Sequence, residues 1–177
     1  MYTDGSKDAS TVGAGVTIYR NKQLIMQCRH KLRSYCSNNQ AEQTAILKAL
    51  EQLQEIETPT GGRAAIYTDS KVTIDSLKNH AIHGFLIEKI RSMIRHLAVL
   101  NRTIHFRWVK AYIGIEGNEA ADKLTKEAAH EDDNMNIVFD RIPITSVASE
   151  IYRKGLEHCQ LQWNNTKEQC ADPSSQT

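Results

Sequence analysis

The chain has 177 residues, 40% hydrophobic and 24% charged, and its 22 basic and 21 acidic side chains leave a formal net charge of +1. That length suits one domain with a real core plus an appendage, and the composition excludes a disordered chain, while no run of about 18 apolar residues exists to span a membrane. Met1 is followed at once by polar residues, with no signal peptide, so an intracellular protein with no membrane partner is expected, and a charge near zero argues at first against a nucleic-acid partner.

Residues 2–4 read as a short, clipped first strand. Val12–Arg20 and Gln23–Leu32 are β-prone runs, with Val16 and Ile18 alternating with Thr17 and Tyr19, and Asn21-Lys22 between them predicts a hairpin turn. From Asn38 the period lengthens. Ala41, Ala45, Ala49, Leu50 and Leu53 recur every three or four residues, which predicts an amphipathic helix capped by Asn38 or Asn39 and ended by Thr58-Pro59-Thr60-Gly61-Gly62. Arg63–Thr68 reads as a buried strand, followed by a helix from near Ser70. Residues 82–100 form another helix, with Ile87, Ile90, Ile94 and Leu97 along one side. Residues 103–109 are strand-like, and 117–129 are helical. This order of strands and helices indicates an α/β domain over residues 1–130. Glu131-Asp132-Asp133-Asn134 is a polar break. Residues 131–177 form an acidic C-terminal extension, helical over about 146–163, in which Val147, Ile151 and Trp163 are expected to dock on the domain or on a missing neighbour. Cys28, Cys36, Cys159 and Cys170 form no CxxC pair and no zinc spacing, so reduced thiols are expected.

Four carboxylates fall at unusual places. Asp4 in Tyr2-Thr3-Asp4-Gly5-Ser6 and Asp69 in Tyr67-Thr68-Asp69-Ser70 each end an apolar run at a strand terminus, and strand ends are where ligands gather in open α/β sheets. Glu42 lies on the packed side of the first helix, and Asp122 lies beside Ala121 on the last helix of the domain. Each has an ordinary reading by itself: Asp69 as a helix cap, Asp4-Gly5 as a turn, Glu42 as a partner of the helix dipole, Asp122 as a surface charge. Those readings leave their coincidence unexplained. Clustered carboxylates raise one another's pKa, and Mg²⁺ or Mn²⁺ with hard oxygen ligands removes that penalty. Two such ions roughly 3.5–4 Å apart are suited to phosphodiester hydrolysis.

Taken together, Tyr2-Thr3-Asp4-Gly5-Ser6, Asn38-Asn39-Gln40-Ala41-Glu42, Tyr67-Thr68-Asp69-Ser70 and the run from Trp108-Val109-Lys110 through Gly117-Asn118-Glu119-Ala120-Ala121-Asp122 resemble the ribonuclease H domain of non-LTR retrotransposon polyproteins. The resemblance covers residues 2 to about 130. It implies a ribonuclease H-like α/β fold, with a five-stranded mixed sheet of order 3-2-1-4-5 and helices on both faces. It implies metal-dependent endonucleolytic hydrolysis of the RNA strand of RNA–DNA hybrids, with Asp4, Glu42, Asp69 and Asp122 as ligands of two Mg²⁺ (or Mn²⁺) ions. Asn38 and Asn39 would then meet the minor groove of the hybrid, and Gly5 and Ser6 the RNA strand, whose 2′-hydroxyls mark it as RNA. Other domains of a reverse-transcriptase polyprotein are the implied partners beside the hybrid. Trp108 is expected to pack rather than stack on bases.

Three positions depart from the family pattern. Tyr112 stands where family members place a histidine that assists proton transfer or product release, and a phenol does not titrate near neutral pH as imidazole does. The first strand is short for a central strand, as in a segment of a larger polyprotein or a truncated reading frame. No Lys/Arg-dense insertion separates the middle helices, which implies weak hybrid affinity in isolation. These departures define the alternative reading, a catalytically impaired hybrid-binding relic. The charge supports catalysis on nucleic acid once it is divided along the chain. Residues 1–130 carry 18 basic and 13 acidic side chains, whereas 131–177 carry 4 and 8. The domain is therefore basic, and four of its acids are assigned to metal.

Overall fold

The computed structural model describes residues 1–56, 62–110, 114–130 and 136–170, the last four of these by backbone alone. They form β1 (Tyr2–Lys7), β2 (Val12–Arg20), β3 (Gln23–Leu32), α1 (Asn38–Glu55), β4 (Arg63–Thr68), α2 (Lys71–Lys78), α3 (Phe85–Val99), β5 (Thr103–Trp108), α4 (Glu116–His130), β6 (Ile137–Phe139) and α5 (Ile144–Cys170). The chain divides into two compact units, Met1–Arg141 and Ile142–Thr177.

The first unit holds one sheet of order β5-β4-β1-β2-β3-β6. β1 and β3 are antiparallel to β2, while β4 runs parallel to β1 and to β5. The first five strands follow the expected order, but the sheet has six strands rather than five. The sixth is β6, which lies parallel to β3 with Lys31 opposite Ile137 and Leu32 opposite Phe139. The compact unit that contains this sheet extends to Arg141. β6 spans only three residues, too few for a periodic signal, and it is held by its surroundings. The Arg33 amide donates to the Phe139 carbonyl at 3.1 Å, Gln40 Nε2 donates to the Arg141 carbonyl at 3.1 Å, and the Arg141 guanidinium lies 3.6 Å from the centre of the Phe85 ring.

The first strand is longer than the sequence indicates. β1 continues through Gly5, Ser6 and Lys7, and all six of its residues pair with β2. On its other side only Tyr2 pairs with β4, opposite Tyr67, supplemented by the Met1 ammonium donating to the Ala65 carbonyl at 2.9 Å. Asp4 is thus in the middle of a strand, not at its end. Asn21 and Lys22 both take positive φ, 52° and 67°, the conformation a two-residue hairpin turn between right-twisted strands requires.

Helices cover both faces of the sheet. On one face α1 buries Ala41, Ala45, Ile46, Ala49, Leu50 and Leu53 against Val12, Ala14, Val16, Ile18 and Ile66, with Leu86, Ile90 and Leu97 of α3 completing the core. The cap of α1 is Ser37, one residue before the expected asparagines. Its hydroxyl accepts from the Gln40 amide while the Gln40 side chain accepts from the Ser37 amide, a reciprocal pair that frees Asn38 and Asn39 from capping. On the opposite face α4 lies close over β2. A Cβ on Gly15 would come within 2.3 Å of the Ala121 carbonyl oxygen, so only glycine permits that approach. Of the expected breaker Thr58-Pro59-Thr60-Gly61-Gly62, residues 58–61 lie outside the described residues.

The second unit consists of one long helix in its described part, α5, which begins two residues earlier and ends later than the sequence predicts. Arg153 pairs with both Glu150 and Glu157 along it, while Ile144, Ile151, Tyr152, Leu156, Leu161 and Trp163 are exposed. Cys28, Cys36 and Cys159 are free thiols. Among the described residues no helix is long and apolar enough to cross a membrane.

Candidate active site

Asp4 faces α4. Its β2 partner is Gly15, whose open face takes the turn of α4 around Ala121 and Thr125. The Thr125 hydroxyl lies within hydrogen-bonding distance of the Asp4 carbonyl, 3.1 Å, and of the Ala121 carbonyl, 3.0 Å. Burial, then the charges of Asp69 and Asp122, and to a smaller extent that of Glu42, push the Asp4 carboxyl from 3.8 to about 7, against a hydrogen bond from Thr125 that favours the ionised form.

Asp69 follows the last residue of β4 and precedes Ser70, the cap of α2. It is therefore not itself the cap, and its carboxylate is left for other use. Burial and then the charge of Asp122 raise its pKa, opposed by a backbone hydrogen bond. Its Oδ1 is buried with no hydrogen-bond partner among the described residues. An acceptor desolvated and unpaired in this way costs about 1–3 kcal/mol unless something outside the protein meets it.

Glu42 enters from α1 on the other face. It reaches the group because β1 and α1 nearly touch: a Cβ on Gly5 would lie 2.1 Å from the Glu42 amide nitrogen and 2.4 Å from the Ala41 carbonyl carbon. Burial first, with the Asp69 charge also acting, raises the Glu42 pKa, while hydrogen bonds from Ser70 and Asn38 oppose the rise. Asn38 Nδ2 donates to Glu42 Oε1 at 3.0 Å. Asp122, half-buried on α4, accepts from Lys126 Nζ at 2.7 Å, one turn further along the helix.

The four acids expected from the sequence thus act on one another electrostatically, although they come from the middle of β1, the turn after β4 and two helices on opposite faces. Among the described residues no three carboxylate, imidazole or thiol side chains stand so as to hold one ion together; Asp122 is turned to Lys126 and Glu42 to Asn38. The donor set nevertheless fits a hard divalent cation. All four candidate donors are carboxylates, a positive charge would relieve their mutual repulsion, and the orphaned Oδ1 of Asp69 is an unpaired acceptor within the group.

The substrate residues expected from the sequence lie around these acids. Asn38 and Asn39 are exposed at the start of α1, and Asn39 Oδ1 accepts from Thr73 Oγ1 at 3.4 Å, which ties α1 to α2. Ser6 is half-buried in β1, two residues after Asp4. Gly5 is buried, and its place in the structure is the β1–α1 contact. Tyr112 lies outside the described residues. Ser70, Thr125 and Lys126 hold the acids and were not singled out as site residues by the sequence. The i, i+4 spacing of Asp122 and Lys126 was the available signal for one of them. Trp108 departs from the packing role expected of it: it is 55% exposed, and its indole N–H donates to the Asp69 carbonyl at 3.0 Å.

The RNase H family model matches residues 1–130 of this chain. Human ribonuclease H1 is 27% identical over an alignment of 148 residues that covers 76% of this chain and 51% of that protein, so the chain spans about half the length of this curated relative. The crystal structure of RNase H1 from the halophilic archaeon Halobacterium salinarum NRC-1 superposes with a TM-score of 0.57 at 21% identity, over 72% of this chain and 93% of that one. LC11-RNase H1 in complex with an RNA/DNA hybrid superposes with a TM-score of 0.58 at 23% identity, over 72% and 94%. A second structure of that enzyme, isolated from compost, gives 0.57 at 26% identity over 72% and 92%.

Proposed function

Since the chain belongs to the RNase H family, with residues 1–130 as its family domain, we propose that it is a metal-dependent endonuclease that hydrolyses the RNA strand of RNA–DNA hybrids. The observation that carries this reading is the grouping of Asp4, Glu42, Asp69 and Asp122, where burial and then the charges of Asp69 and Asp122 raise the Asp4 pKa to about 7. Two Mg²⁺ or Mn²⁺ ions bound by these four carboxylates would neutralise them, activate a water and stabilise the leaving oxygen.

The protein's own part is placement. β1 and α4 bury Asp4 where bulk water screens its charge poorly, which strengthens its hold on a cation. Asn38 ties down Glu42 and presents the rest of its amide, with that of Asn39, to a minor groove lined by 2′-hydroxyls. Ser6 offers a hydroxyl to the same strand. The basic excess of residues 1–130, 18 side chains against 13, favours association of the domain with a polyanion. The motif resemblance further supports an origin in a non-LTR retrotransposon polyprotein, acting inside the cell, whose other reverse-transcriptase domains would add hybrid affinity.

The test is cleavage of labelled RNA within a hybrid, in Mg²⁺ or Mn²⁺, beside single-stranded RNA and beside Asp69→Asn. Wild type should cut the hybrid, spare the single strand and stop in chelator, and Asp69→Asn should lose turnover by orders of magnitude while keeping its fold. Folded wild-type protein that cuts nothing in either metal overturns the reading; an Asp69→Asn rate equal to wild type overturns the metal assignment.

A further inference from the structure

Asp69 is held differently from the other three acids. Asp4 sits in the β1 ladder, and Glu42 and Asp122 sit in helices, so their backbones are fixed by regular hydrogen bonds. Asp69 lies between β4 and α2 and belongs to neither. Its direction depends on what grips its own peptide. Two donors converge on the Asp69 carbonyl oxygen: the Lys71 amide at 2.9 Å and the Trp108 indole N–H at 3.0 Å. Trp108 is the last residue of β5, in register with Thr68, and the next amide, of Val109, donates to the Thr68 carbonyl at 3.0 Å. The end of β5 therefore clasps the end of β4 just where Asp69 emerges. The Trp108 ring is more than half exposed, so burial of the ring does not account for an indole here. At the carboxylate end a backbone hydrogen bond acts on the group, but Oδ1 has no protein partner among the described residues.

We propose that Trp108 is a positioning residue for Asp69: its indole N–H clamps the Asp69 carbonyl and so keeps the carboxylate turned toward Asp4 and Asp122. This role rests on the hydrolytic reading above and deepens it. Loss of the N–H leaves the Asp69 carbonyl to the Lys71 amide alone and loosens the peptide, which weakens cation binding and turnover while leaving hybrid affinity in place.

Trp108→Phe keeps an aromatic ring and removes the donor. Three measurements on the full chain decide the matter: Mn²⁺ binding by calorimetry without substrate, kcat and KM on hybrid, and the unfolding midpoint in chelator. Partners of metal-ligating carboxylates typically contribute 10–100-fold, so Mn²⁺ affinity and kcat should each fall at least roughly tenfold. KM for the hybrid and the midpoint in chelator should stay at the wild-type values. Wild-type Mn²⁺ affinity and kcat in the variant overturn the role. A raised KM with kcat and Mn²⁺ affinity unchanged also overturns it, since the ring would then act on substrate. If the phenylalanine variant melts early, Trp108→β-(3-benzothienyl)alanine, a full-size ring without the N–H, replaces it, and normal Mn²⁺ affinity there overturns the role. A wild-type chain that neither binds Mn²⁺ nor cleaves removes the hydrolytic reading and this role together; a wild type that does both beside an unaffected variant removes this role alone.

Discussion

Replacing Asp4 by asparagine should stabilise the metal-free protein at alkaline pH while abolishing cleavage. Burial between β1 and α4, then the charges of Asp69 and Asp122, lift the Asp4 carboxyl from 3.8 to about 7. Between those values the folded chain holds a proton that the unfolded chain has released. The protonated carboxyl's contribution is thus fully present below about pH 4 and is lost as pH rises through 7. A rise of about three pH units at 1.36 kcal/mol each corresponds to ~4 kcal/mol above pH 7. Local relaxation and water entry on ionisation reduce this to about 2–4 kcal/mol, since buried groups respond as if in a medium more polar than dry protein. An amide does not ionise, so Asp4→Asn escapes the loss. The assay is thermal unfolding in chelator from pH 5 to 9. Wild type should fall below the variant progressively, by a midpoint difference of roughly 4–16 °C at pH 8, taking ~2–4 °C per kcal/mol for a chain of this size. Mg²⁺ should recover wild type more than the variant, because it binds the ionised group. Parallel pH profiles for the two proteins, or a variant less stable than wild type at pH 8, would refute the claim that burial and the neighbouring carboxylates raise the Asp4 pKa to near neutrality.

Gly5→Ala tests the contact that brings Glu42 to the site. The new Cβ meets Glu42 and Ala41 backbone atoms at 2.1 and 2.4 Å, which no rotamer change relieves. Overpacking of this kind costs at least about 1–3 kcal/mol, so the urea midpoint and the cleavage rate should fall together, and an alanine variant with wild-type values for both would show that α1 is free to withdraw. Tyr112→His should speed turnover, by an amount bounded by the 10²–10⁴-fold typical of general acid–base help, with a new pH dependence near neutrality. Slower turnover in that variant would show that the phenol has a role of its own.

Much of the architecture is legible in the chain itself. β2, β3 and β4 begin and end where alternation and β-branching place them, and α1 follows from the three- and four-residue spacing of its alanines and leucines. These signals are local, because one buried face imposes its period on each segment. The errors fall where the stabilising partner is remote in sequence. β6 has three residues and exists because β3 offers an edge, and Ser6 and Lys7 are strand because Gly13 and Val12 lie opposite them. The cap of α1 moved to Ser37 because Gln40 completes a reciprocal pair with it, leaving the two asparagines to the site surface.

Which four acids to place together was readable from residue type and, through the motif resemblance, from motif order. Their condition was not. That Asp4 sits near pH 7, that Asp69 has a bare buried oxygen, and that its peptide is gripped by an indole on β5 depend on elements from four parts of the chain meeting at one place. Desolvation and Coulomb interaction vary with distance in space, not along the sequence, so residue order alone determines which groups are available, and only the packed sheet and helices determine how strongly they act on one another.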